Sequence, residues 1–182
     1  MLSPVWPLPA RGERIQLRRL RPADTAAFQA YRSDPIVGRY QGWEPMTDQR
    51  AVEFIASMVD VTGPVMGDWI QLAIALNDDD SLIGDAGIHL SADGRQAELG
   101  LSLARLRQGQ GLASEAFALL IAMVFRQSGC ESIRGVIDAE NTASIRLVQR
   151  HGFEQIDRVE TVFRGAPCTE VIFRLRNPGR LD

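Results

Sequence analysis

Arg105 to Leu120 reads RLRQGQGLASEAFALL: two glycines and two glutamines stand between a pair of arginines and what reads as the opening turns of a helix. A strand-to-helix turn carrying Gly109 and Gly111 leaves backbone N–H groups uncovered by side chains at a helix N-terminus. That is the physical recipe for holding a phosphate or pyrophosphate, and Arg105 and Arg107 bring charge toward the same anion. Two glycines ahead of a helix also make a plain tight turn, so the surrounding segments have to decide.

Upstream, WIQLAIAL from Trp69, an acidic NDDDS turn, LIGDAGIHLS, an ADGRQ hairpin with its Asp-Gly pair, and AELGLSL read as consecutive antiparallel strands. Before them, RIQLRRL (Arg14 to Leu20) alternates polar and apolar residues like a half-buried strand. RPADTAAFQAYRSDP is a helix entered near Pro22 and stopped before Pro35. TDQRAVEFIASMV is a second helix, with Thr47 or Asp48 as N-cap and Phe54, Ile55 and Met58 on one face.

Downstream, the helix after the glycines runs to about Ser128, SIRGVID is a short strand, and NTASIRLVQRH is a helix capped by Asn141 and ended at Gly152. EQIDRVETVFR and CTEVIFRL close the chain as a strand pair. The order is β-α-α-β-β-β-α-β-α-β-β. It predicts an α/β (α+β) fold with a mixed, mostly antiparallel sheet of about six to seven strands and about four helices on both faces.

The length of 182 residues suits one domain, and 45% hydrophobic with 24% charged residues is an ordinary globular composition. The division expected is a loosely packed, proline-rich lead-in over 1–12, a single domain over 13–176 and a tail over 177–182. No apolar run approaches the ~20 residues of a membrane helix, and the N-terminus has no signal-peptide pattern, so no membrane and a cytoplasmic location are expected. A net charge of −3 weighs against a nucleic-acid partner. Cys130 and Cys168 are isolated, which implies neither a disulfide framework nor a metal motif. Every basic residue is arginine. Whatever the origin of that bias, it removes Schiff-base lysine chemistry and the lysine of a phosphate loop.

The turn does not sit where a dinucleotide fingerprint would, after the first strand of a parallel βαβ unit. It follows an antiparallel meander, and there it resembles the acyl-CoA-binding motif [QR]-x-x-G-x-[GA] of the GCN5-related N-acetyltransferases, as Gln108-Gly109-Gln110-Gly111-Leu112-Ala113. NTASIRLVQRHGF is similar to the family's later segment, with Asn141, Ser144, Gly152 and Phe153 in place. RIQLRRLRPADTAAFQAYRSDPIVGRY and AELGLSL resemble the ribosomal-protein alanine acetyltransferase branch, the RimJ/RimL type. The resemblance spans roughly residues 13 to 176.

It implies the GNAT fold and an acyltransferase that moves an acetyl group from acetyl-CoA to an amine, a protein N-terminus or a small molecule, without a metal. Arg107, Gln108, Gly109, Gln110, Gly111, Leu112, Ala113 and Ser114 would cradle the CoA pyrophosphate. The pantetheine would lie between the splayed fourth and fifth strands against Leu101, Ser102 and Leu103, with Asn141 touching it or the acceptor. Asn141 also reads as a plain helix cap. Glu98 would be the base acting through water; the competing reading is a solvated carboxylate beside Arg95 across a hairpin.

Many family members carry a tyrosine acid seven residues after the helix asparagine. Val148 stands there, leaving Ser144, near the CoA sulfur, or water to protonate the thiolate. In the loop YQGWEPMTD, Trp43 and Glu44 suit a cationic amine, or Trp43 clamps the loop to the core. His89 reads as a strand-face residue with a base role open, and Cys130 as packing. Two other classes compete with the enzyme: a CoA-binding regulatory module without activity, which Val148 keeps alive, and a nucleotide-binding module on the same turn. Members of the family often dimerise, so a homodimer is among the expected assemblies. The acceptor, and acetyl against succinyl, are not written in these motifs.

Overall fold

The computed structural model describes residues 5–180, so the expected ends of the lead-in and tail at 1–4 and 181–182 lie outside the described residues. The elements are β1 (Ala10–Arg11), β2 (Ile15–Arg18), α1 (Thr25–Arg32), α2 (Asp48–Met58), β3 (Trp69–Leu76), β4 (Leu82–Leu90) and β5 (Gln96–Leu103). They continue with α3 (Leu112–Ser128), β6 (Ser132–Asp138), α4 (Thr142–Arg150), β7 (Glu154–Phe163) and β8 (Ala166–Arg176). Tight 3-10 turns stand before α1, before α3 and after β8.

All eight strands form one sheet in the order β1-β2-β3-β4-β5-β6-β8-β7, antiparallel throughout except for β5 with β6. The expected fold class holds, with one strand more than the six to seven expected. The addition is β1, which pairs Ala10 with Leu17 and Arg11 with Gln16. A strand two residues long, in a proline-rich stretch, offers no alternation to read. Within the described part of the lead-in, Trp6 is packed although Val5, Pro7 and Pro9 are exposed. The Trp6 amide donates to Thr62 at 2.9 Å, and its ring lies in the main core.

The two faces of the sheet are covered by different helices. α3 buries Leu112, Ala116, Phe117, Leu120, Met123 and Val124, a stripe at helical spacing. It packs with Val148 of α4 onto the alternate residues Ile70, Leu72, Ile74, Ala86, Ile88, Ala97, Ile133 and Phe173. α1 and α2 form a second core on the opposite face from Phe28, Tyr31, Ala51 and Ile55, over Ala73. Under this layer Asp85 of β4 is buried and satisfied: Tyr31 Oη donates to Oδ2 at 2.5 Å, Arg32 Nε to the same oxygen at 3.0 Å, and Arg32 Nη2 to Oδ1 at 2.8 Å.

β6 pairs along its whole length with β8, from Ser132↔Arg176 to Asp138↔Glu170. With β5 it shares only Gln96↔Ser132, Ala97↔Ile133 and Glu98↔Arg134. Beyond Glu98 the two parallel strands part, and the rest of β5 has a free edge.

Candidate active site

The free edge has a definite polarity. The Ala104 amide donates to Ile83 and the Ser91 amide to Gln96, both at 2.8 Å, while the Glu131 amide reaches Arg95 at 2.7 Å. Even-numbered residues of β5 therefore spend their backbone groups on β4, and odd-numbered ones turn theirs toward β6. Leu101 and Leu103 thus present backbone to the gap. Ser102 turns its backbone to β4, opposite Asp85, and its side chain is buried. Of these three residues, Leu101 and Leu103 turn their main chain toward the gap and Ser102 does not.

At the outer end of this edge stands the glycine turn. Gly109 and Gly111 have φ of 73° and 79°, a left-handed conformation that glycine adopts without a Cβ penalty. Gln108 Nε2 donates to the Leu103 carbonyl at 2.9 Å, tying the turn to the edge of β5. Among the described residues the amides of Gly109, Gln110 and Gly111 make no hydrogen bond, and the first amides of α3, Leu112 to Ser114, have no partner within the helix by geometry. A run of unspent donors ending a free strand edge fits an anionic ligand with a peptide-like tail, which is the chemistry of acyl-CoA.

The brace behind the turn is not legible in the motif. Glu115, in the first turn of α3, accepts from the Arg14 amide (2.7 Å), the Ile15 amide (3.2 Å) and Arg14 Nε (2.9 Å). Arg14 Nη1 in turn donates to the Gln110 carbonyl at 2.9 Å. These bonds hold the Glu115 carboxyl below its ordinary range against the opposing effect of its partial burial. They also hold the Gln110 carbonyl on the sheet side. Arg107 stays half-exposed and adds a lesser pull to Asp79, whose carboxyl is lowered chiefly by its hydrogen bonds with Ser81, while Arg105 lies 3.8 Å from Asp34, after α1. Ser114 Oγ lies 2.9 Å from His151 Nε2, and burial followed by Arg150 holds that imidazole below its usual pKa.

Glu98 sits at the fork where β5 leaves β6. Register places Trp69, His89, Glu98 and Arg134 in one line across four strands, with the Trp69 and His89 rings 5.4 Å apart. Burial pushes the Glu98 carboxyl above its ordinary value, while Arg134 and His89 pull it down and Glu170 raises it further. Its cationic neighbour is Arg134, 3.7 Å away, and not Arg95, whose guanidinium is held by Glu131 at 2.9 and 3.0 Å.

On the other side of the fork, Asn141 caps α4 by accepting from the Ser144 amide at 3.2 Å, which leaves its side-chain NH2 outside that bond. Ser144 is half-buried one turn into α4, and Val148 is buried in the main core. In the loop before α2, the face of the Trp43 ring carries the Arg32 guanidinium at 4.7 Å, and Glu44 is exposed. Trp43 therefore makes the clamping contact, on the same guanidinium that holds Asp85.

Cys130 is buried, and that burial raises its thiol. Cys168 lies within β8. A groove of about 890 Å3 lines the outer side of α3 with Phe125, Arg126 and Leu175, away from β5 and the glycine turn. Among the described residues no cluster of three or more His, Cys, Asp or Glu is placed to hold a metal ion, and no helix is long and apolar enough to cross a membrane.

The family model described as acetyltransferase (GNAT) domain matches residues 14–154. The uncharacterized N-acetyltransferase p20 of Bacillus licheniformis is 31% identical over 145 residues, covering 79% of this chain and 80% of that protein. Among solved structures, a GNAT-family acetyltransferase of Bacillus anthracis superposes with a TM-score of 0.82 at 19% identity, over 92% of this chain and 98% of that one. A spermidine N-acetyltransferase of Vibrio cholerae, in complex with CoA and spermine, superposes with a TM-score of 0.77 at 17% identity, over 90% and 95%.

Proposed function

The chain belongs to the GNAT acetyltransferase family, an acyl-CoA-dependent N-acetyltransferase, and on that premise we propose that it transfers acetyl to a primary amine by direct attack in a ternary complex. The observation that carries the reading is the confinement of β5–β6 pairing to three residue pairs, beside a turn whose amides are unspent. Acetyl-CoA supplies the activated acyl group as a thioester. The amides of Gly109 to Ser114 hold its pyrophosphate, with Arg107 and Gln108 alongside. The edge at Leu101 and Leu103 accepts its pantetheine, and Asn141 approaches from α4.

Glu98 stands where the strands divide, so an amine arriving over the α1–α2 face meets it at the fork. An ammonium carries no lone pair and must lose a proton before attack. A carboxylate raised by burial is a better acceptor of that proton than an ordinary one. The amine nitrogen then bonds to the acyl carbon as the carbon–sulfur bond breaks, and the second proton that the nitrogen sheds passes by way of Ser144 or a water to the departing sulfur. Glu44, exposed on the loop, favours a cationic acceptor.

Thermal unfolding with acetyl-CoA, succinyl-CoA, CoA, ATP and NAD tests the site. Saturation at 100 times Kd stabilises by ~2.7 kcal/mol, a shift of about 5–10 °C for a chain of this size. Only CoA compounds are expected to give it, and Gly111→Asp, which forces a side chain and a negative charge into a left-handed position 3.4 Å from Arg14, is expected to lose it. No shift with any CoA compound sinks the proposal. Glu98→Gln separates an enzyme from a CoA-binding module: turnover disappears while CoA still binds, whereas unchanged turnover removes Glu98 as the base.

A further inference from the structure

The segment from Arg39 to Trp43 touches every wall of the open end of the slot. Gln41 Nε2 donates to the Leu101 carbonyl on the free edge of β5 at 3.4 Å. Arg39 Nη2 lies 3.3 Å from Glu140 in the connection between β6 and α4. Arg164, in the turn between β7 and β8, donates through a single guanidinium nitrogen to the Gln41 carbonyl at 3.1 Å and to the Trp43 carbonyl at 2.6 Å. The Trp43 ring closes the segment onto Arg32. These three anchors lie beyond the point where β5 and β6 part, since Leu101 is past the last shared pair, Glu140 follows Asp138, and the β7–β8 hairpin runs four residue pairs past Glu170, the partner of Asp138, before it turns at Arg164.

We infer that Arg164 is a specificity-determining residue, latching residues 39–43 as a strap over the acyl end of the slot so that only a slender, straight-chain amine passes beneath it. Two things single out Arg164. Its backbone sits at φ 51° beside Gly165 at 80°, the two left-handed positions of the turn that closes the β7–β8 hairpin, so its side chain stands at the hairpin tip. Its Nη2 also satisfies two loop carbonyls at once, with N–H directions fixed by the guanidinium plane, whereas a lysine ammonium rotates freely. A loop tied to three walls swings aside only by breaking those bonds together, so an amine carried on a bulky rigid skeleton is refused while a narrow one is admitted. This inference rests on reading the slot as the acyl donor's site. It adds which acceptors reach that donor and which residue decides it.

Hydrogen–deuterium exchange on wild type, Arg164→Asn and Arg164→Lys, with and without acetyl-CoA, tests the latch. Asparagine tolerates the left-handed backbone, and lysine keeps the charge. Exchange across residues 39–43 is expected to rise about tenfold in both variants in the absence of ligand, with residues 109–113 unaffected. With acetyl-CoA saturating, the ratio of kcat/KM for a linear diamine to that for a fused-ring amine of matched pKa is expected to fall about tenfold, while KM for acetyl-CoA stays unchanged. Equal exchange across the strap in wild type and variants overturns the latch, and so does an unchanged acceptor ratio. If acetyl-CoA protects residues 109–113 in none of the three proteins, the reading of the slot fails instead, and the latch is still decided by strap exchange in the ligand-free protein.

Discussion

A carboxylate at the fork of two parting strands feels burial first and charge second, and the order matters for what Glu98 can do. Burial raises its pKa, Arg134 and His89 oppose the rise, and Glu170 adds to it. The acid limb of kcat/KM is therefore expected above the ordinary glutamate value of about 4.3, since the base is lost as pH falls through its raised pKa. Removing a cation removes a lowering influence, so Arg134→Gln is expected to move the limb to higher pH. Glu170→Gln removes a raising influence and is expected to move it lower. A pH profile of kcat/KM for wild type and both variants checks this, and limbs that move together or not at all reject Glu98 as the titrating base. The line of Trp69, His89, Glu98 and Arg134 was half legible: alternation puts Arg134 on a strand face within SIRGVID, but only register makes it the neighbour of Glu98.

At the scale of elements, the glycine turn owes its shape to β2 as much as to its glycines. Glu115 and Arg14, 101 positions apart, brace the turn from behind through four hydrogen bonds of 2.7 to 3.2 Å. Glu115→Ala frees the Gln110 carbonyl to rotate and compete with the amides for the forward direction. KM for acetyl-CoA is expected to rise about tenfold with kcat little changed, as one or two charge-assisted hydrogen bonds would produce. S-acetyl pantetheine has no pyrophosphate, so its kcat/KM is expected to stay level. An equal loss with both donors would mean that the brace acts on the whole fold and not on the turn. The motif Gln108 to Ala113 was readable because its glycines answer a local backbone requirement. Its brace was not, because nothing near Glu115 in the chain names Arg14.

Across the whole molecule, Trp6, ahead of β1, belongs to the core. Trp6 is 2% exposed among residues of the sheet and α3. Trp6→Ala is expected to cost about 3–5 kcal/mol, the range for removing a large buried ring, read as a lower denaturant midpoint at an unchanged slope. A loss below about 0.5 kcal/mol would return the segment to a loose lead-in. One tryptophan among prolines carries no period, so its burial could not be read from the chain. Elsewhere the chain by itself determined the order of strands and helices, the Asp-Gly hairpin, the Asn141 cap and the left-handed glycines, because periodicity and turn chemistry act over a few residues. Only the tertiary structure decided that β6 leaves β5 after Glu98, that Arg134 and not Arg95 faces that carboxylate, and that Arg164 reaches Gln41 across 123 positions. Those are choices of packing and register between distant segments, and no local pattern of residues encodes which distant partner a side chain will meet.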